Sequence, residues 1–66
     1  MAMSMEREQS WRDFYAEEAP YWVDKPWALI GTMEAIMADR ETSAGDRLKK
    51  MQWAMAAYHQ ALRERE

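Results

Sequence analysis

Leu48, Met51, Met55, Tyr58 and Leu62 follow one another at spacings of three, four, three and four. Apolar residues in that rhythm fall on one side of an α-helix, as the a and d positions of two successive heptads, and cannot line one face of a strand. A long helix near the C-terminal end is therefore the first fixed point, read over residues 43–64. Ala54, Ala57 and Ala61 recur at three and four on a second side, with Trp53 roughly opposite the seam. A helix apolar on two sides packs on two sides. One side is expected to pair with a neighbouring helix, leaving Trp53 and Ala57 for an interface.

The rest of the chain follows the same preference. Val and Ile are scarce while Ala, Met, Leu, Glu, Lys, Arg and Gln dominate, and there are only 2 Gly and 2 Pro. Helix propensity is high nearly everywhere. Trp11, Phe14 and Tyr15 share a face at i, i+3 and i+4, which predicts a first helix over about 5–18, started by Ser4 or by Ser10. Pro20 and Pro26 each disfavour helical geometry in the residue before them, so residues 19–26 are expected to form an aromatic connector containing Tyr21 and Trp22. Pro26 suits the first turn of a second helix, with Asp24 as its cap, and that helix is read over about 26–40. Its Leu29, Ile30, Met33, Ile36 and Met37 predict a core-facing stripe. Gly31 within it costs about 1 kcal/mol relative to Ala, which calls for a close helix approach. Ser43 with Asp46 marks the start of the third helix. The expected fold is all-α: a small three-helix protein in which helices 2 and 3 form an antiparallel hairpin, and which dimerises.

Association is expected because a chain of 66 residues has little core with which to offset its conformational entropy, and cysteine is absent, so no disulfide can help. The four Trp and three Tyr are dense for such a length. Tyr21, Trp22 and Trp27 around the two prolines, with Trp53 and Ala57 on the third helix, are the candidate protein-binding residues, because large aromatic side chains anchor interfaces. The same aromatics also serve as core bulk in small domains. The i,i+4 pairs Met33 with Met37 and Met51 with Met55 fit core filling as well as an adaptable groove.

Other functions find less in the sequence. The net charge is −3, and residues 1–25 hold three basic and six acidic groups while 26–66 hold six of each, which is no basic footprint. Arg47, Lys49 and Lys50 open the third helix after a turn and form the alternative site, that of a small dimeric DNA-binding regulator. His59 stands alone, and Glu17 and Glu18 have no adjacent nucleophile, so no metal, cofactor or catalytic site is expected. The N-terminal residues lack a secretory pattern and the longest uncharged stretch, 51–62, is too short for a bilayer, which makes the cytoplasm the default compartment. The sequence thus predicts a non-catalytic module acting as an inhibitor, adaptor or assembly factor of a larger protein, with a structural subunit of a larger complex as a further alternative.

Overall fold

The computed structural model describes residues 3–65. They form three α-helices, α1 (Met5–Asp24), α2 (Pro26–Ala38) and α3 (Ala44–Arg65), with no strand among the described residues. The all-α expectation holds.

Of the two candidate starts for α1, the chain uses Ser4, whose Oγ accepts from the Arg7 N–H at 3.3 Å. The helix then runs through Pro20 to Asp24, so the expected connector at 19–26 is helical over most of its length. Pro20 removes one helix hydrogen bond, that to the carbonyl of Ala16, but Pro20 and Ala16 both lie on the solvent side, where water can satisfy the freed oxygen. Burial of Ala19 and Trp22 on the opposite side holds the last turn in place. Only Lys25 separates α1 from α2, and its N–H closes α1 by donating to the Tyr21 carbonyl at 2.9 Å. Pro26 takes the first position of α2 as expected, whereas Asp24 does not cap that helix. The Asp24 carboxylate instead pairs with Arg65 at the far end of α3.

Ser43 Oγ accepts from the Asp46 N–H at 3.2 Å and starts α3. The turn before it is organised by Asp39, which accepts from the Glu41 N–H at 3.1 Å and the Thr42 hydroxyl at 2.6 Å. Those donors, the hydroxyl above all, hold the Asp39 carboxyl below the usual carboxylate range.

The most extensive helix pairing joins α1 to α3, not α2 to α3. Glu8 meets Lys49 at 3.2 Å, the Lys50 ammonium lies 3.9 Å from the Trp11 ring centre, Arg12 lies over Trp53, and Asp24 meets Arg65. Residue numbers rise together along both helices, so α1 and α3 run parallel. α2 returns between their ends, carrying Thr32, Ala35 and Ile36 past Trp11, Phe14 and Tyr15.

The buried apolar residues are Tyr15, Ala19 and Trp22 on α1, Leu29 and Ile36 on α2, and Ala54 and Ala61 on α3. On α3 this is the alanine side and not the heptad seam. Tyr15 and Trp22 bring bulky rings from α1, and a helix that lies close against them must present small side chains. The seam from Leu48 to Leu62 is consequently left partly or, at Leu48, largely in water.

Candidate protein-binding surface

Of the large hydrophobic side chains exposed among the described residues, α2 carries three, Trp27, Ile30 and Met37. Trp27, Ile30, Glu34 and Met37 follow at three, four and three residues, which stacks them on one side of the helix. Trp27 is 66% exposed, Ile30 58% and Met37 55%, and Leu48 in the opening turns of α3 is 55% exposed. The expectation that Ile30 and Met37 join the core is corrected here. α2 buries Leu29 and Ile36 against its neighbours, with Ala28 and Met33 half-buried beside them, and that side suffices for a helix lying against the edge of the α1–α3 pair. Glu34 is the one charged residue in the thirteen of α2, so its outer side is nearly uncharged.

Gly31 lies beside this stripe, exposed, and a methyl group built on it meets nothing within 4 Å. The close approach that its place in mid-helix calls for is made by no element of this chain.

The expected interface aromatics separate into two groups. Trp27 is exposed, and so is Tyr21 at 49%, with the Lys25 ammonium 5.4 Å from its ring centre. Trp22 is 2% exposed and belongs to the core, which removes it as a docking anchor. Its side chain points inward because the helix continues through Pro20 and keeps Tyr15, Ala19 and Trp22 on one side. Trp53 is half-buried, packed against the core with the Arg12 guanidinium 5.0 Å from its ring centre. Ala57 is half-buried on the same inner side. The structure therefore does not bring Tyr21, Trp22, Trp27, Trp53 and Ala57 together as one surface.

The basic opening of α3 is occupied from within. Arg47 donates to the Asp39 carbonyl at 2.9 Å, Lys49 pairs with Glu8, and Lys50 is 8% exposed against Trp11. A phosphate-binding row needs cations free to leave their partners, and these three hold the turn and α1 to α3.

Two clefts flank the helices. One, of about 780 Å³, lies between the start of α1 and the α2–α3 turn, where Arg7, Arg40 and Lys50 are matched by Asp39, Glu41 and Asp46. The other, of about 280 Å³, lies between α1 and α2 and is lined by Trp11, Phe14, Thr32, Ala35 and Ile36, among others. Near it the Tyr15 hydroxyl is buried without a hydrogen-bond partner, and burial pushes its pKa up to about 12. Among the described residues no group of three or more His, Cys, Asp or Glu could hold a metal ion, and no helix is long and apolar enough to cross a membrane.

Ile30 and Met37 were missed as surface residues for a reason visible in the sequence. A helix whose apolar residues occupy every side must either be buried all round or keep one side for another molecule, and a chain this small has too few elements to bury it.

Comparison with protein-family models, with curated proteins and with solved structures finds no match to this chain.

Proposed function

We propose that this chain is a non-catalytic protein-binding module, of the kind that serves as an inhibitor, adaptor or assembly factor, and that it docks through the outer side of α2. The observation carrying this reading is the stripe of Trp27, Ile30 and Met37, each more than half exposed on a helix with one charge. Soluble chains keep such side chains together in water at a cost in free energy, and contiguous apolar surface of this kind marks interaction sites. The thin core adds weight, since among the described residues only seven apolar ones are buried and three of them are alanines. The occupant is a protein surface with an apolar side of its own, and a homodimer meets that description. The DNA-binding alternative gains nothing from Arg47, Lys49 and Lys50, whose contacts lie within the chain.

The test places a photo-crosslinking amino acid at position 27, and separately at Glu17 on the opposite helix, in cells producing the chain. Discrete protein adducts from position 27, lost when Ile30 and Met37 are both changed to Gln, support the reading. Adducts from position 17 alone, or none from 27, refute it.

A further inference from the structure

We infer that the cleft between α1 and α2 binds a small monocarboxylate with an apolar body, its carboxylate resting on the Lys50 ammonium.

The cleft has a volume of about 280 Å³, and its walls are the rings of Trp11, Phe14 and Tyr15 from α1 with Ala35 and Ile36 from α2. A site of that size and lining takes a small apolar body oriented by a few polar groups. Thr32, Ala35 and Ile36 lie on another side of α2 than Trp27, Ile30 and Met37, so the cleft is separate from the docking surface.

The polar groups in the walls decide what else the ligand must carry. The Thr32 hydroxyl is spent on the Ala28 carbonyl at 3.0 Å. Both carboxylate oxygens of Asp39 already accept, from the Glu41 N–H and the Thr42 hydroxyl. The Tyr15 hydroxyl is sealed from the cleft and takes no part. Two side-chain donors are left, the Trp11 indole N–H and the Lys50 ammonium, and neither makes a hydrogen bond or ion pair among the described residues.

Lys50 is the less ordinary of the two. The residue is 8% exposed, with the Trp11 ring centre 3.9 Å from its ammonium and Asp39 attracting it from outside ion-pair distance. An ammonium has three N–H donors, and a ring face answers only the side it covers. Its tip is nonetheless open, because among the described residues the Tyr15 hydroxyl is the one buried side-chain polar atom that is both sealed and unpartnered. Trp11, Asp39 and Lys50 line both clefts, so the ammonium stands where the two adjoin.

The larger cleft adds Arg7 and Arg40 against Glu41 and Asp46, a balanced set that selects no sign of charge. The apolar walls are on the α1–α2 side, and a ligand body belongs there. One carboxylate is favoured over a phosphate or a dicarboxylate, since the nearby Asp39 charge repels each further negative charge.

NMR titration of the isotope-labelled chain with phenylpropionate, its neutral amide phenylpropanamide, and acetate is the test. With phenylpropionate, shifts should saturate at the Trp11 indole N–H and at the backbone amides of Phe14, Ala35 and Ile36, with a Kd on the order of 0.1–1 mM. Phenylpropanamide lacks the charge and acetate lacks the body, so each should bind at least about fivefold more weakly. Lys50→Met should bring phenylpropionate down to the affinity of its amide. Ala35→Leu fills the cleft from an exposed helical position with the Lys50 charge in place, and should weaken phenylpropionate about tenfold. That variant keeps a test in hand if Lys50→Met does not fold. Absence of saturable shifts up to about 10 mM overturns the proposal, as does equal affinity for phenylpropionate and its amide, or full affinity in Ala35→Leu. Shifts centred on Arg7, Arg40 and Asp46 would put the anion in the larger cleft and overturn it as well.

Discussion

Lys50 offers the sharpest check on how the helices are held together. Its side chain is 8% exposed, and its ammonium stands 3.9 Å from the centre of the Trp11 ring. A cation over an indole is worth about 0.5–1 kcal/mol in water and about 2 kcal/mol or more once desolvated, and Lys50, buried along its stem but lining two open clefts, places this pair at about 1 kcal/mol. Its methylene stem also packs, so Lys50→Met keeps the stem and removes the charge, isolating the electrostatic part. Part of the loss is returned because methionine has no charge to desolvate, and the single variant should lose up to about 1 kcal/mol. The pairwise quantity comes from a cycle of Lys50→Met, Trp11→Leu and the double variant, with an expected coupling of about 1 kcal/mol. The assay is urea unfolding followed by far-ultraviolet circular dichroism. For a domain of this size the single substitution should also lower Tm by roughly 5 °C. A coupling below about 0.5 kcal/mol, or a variant more stable than the parent, would mean that the Trp11 ring does not hold the Lys50 charge, leaving its stem and its attraction to Asp39.

Further outcomes follow from other side chains. Trp22→Ala removes the largest fully buried side chain and should cost about 3–5 kcal/mol, enough to leave so small a chain mostly unfolded by circular dichroism; retained cooperative unfolding near the parent Tm would put Trp22 outside the core. Tyr15→Phe deletes a buried hydroxyl that has no partner, so it should leave stability unchanged or raise it by about 1 kcal/mol in urea titration, and a clear loss would reveal a hydrogen bond to Tyr15. The Tyr15 phenol titrates near 12 when folded against 10.0 when free, so above pH 10 the unfolded chain gives up the proton first. Stability is then whole below 10 and falls between 10 and about 12, as ultraviolet phenolate absorbance and circular dichroism should show in step. Asp24 is held below its ordinary 3.8 chiefly by its hydrogen bond with Arg65, so its contribution is present above that value and lost as pH falls through its lower folded pKa. Amide protection at the ends of α1 and α3, taken relative to the intrinsic exchange rate at each pH, should fall in acid, and Asp24→Asn should abolish that dependence.

Much of the architecture could be read in the residues, and the misreadings have physical causes. Ser43 and Pro26 announced helix starts, and Ser4 was one of two candidates, because capping and first-turn geometry are local. Pro20 misled because its effect depends on which way the orphaned carbonyl faces, and that is decided by the burial of Ala19 and Trp22 on the other side. The heptad spacing from Leu48 to Leu62 correctly marked a helix but not its buried side. The choice fell to the alanines because the bulk was supplied by Tyr15 and Trp22, far away in sequence. For the candidate surface, Trp27 was legible from its place beside Pro26, while Trp22 was lost to the core once the helix continued. Lys49 and Lys50 looked like a free basic cluster because their partners, Glu8 and Trp11, come from the opposite end of the chain.

The parallel alignment of α1 with α3 also governs when the molecule can come into being. The pairs Glu8 with Lys49 and Asp24 with Arg65 each bridge forty-one positions, so the main contact has long range for an all-helical protein. Consecutive helices can fold as each one is completed, but here Tyr15 and Trp22 stay uncovered until α3 has left the ribosome. Folding should therefore be slower than helix content alone implies, with the largest rings open to wrong encounters in the interval. α2 acts in this respect as the strut that sets where α3 arrives, which makes its length as consequential for assembly as any contact it makes.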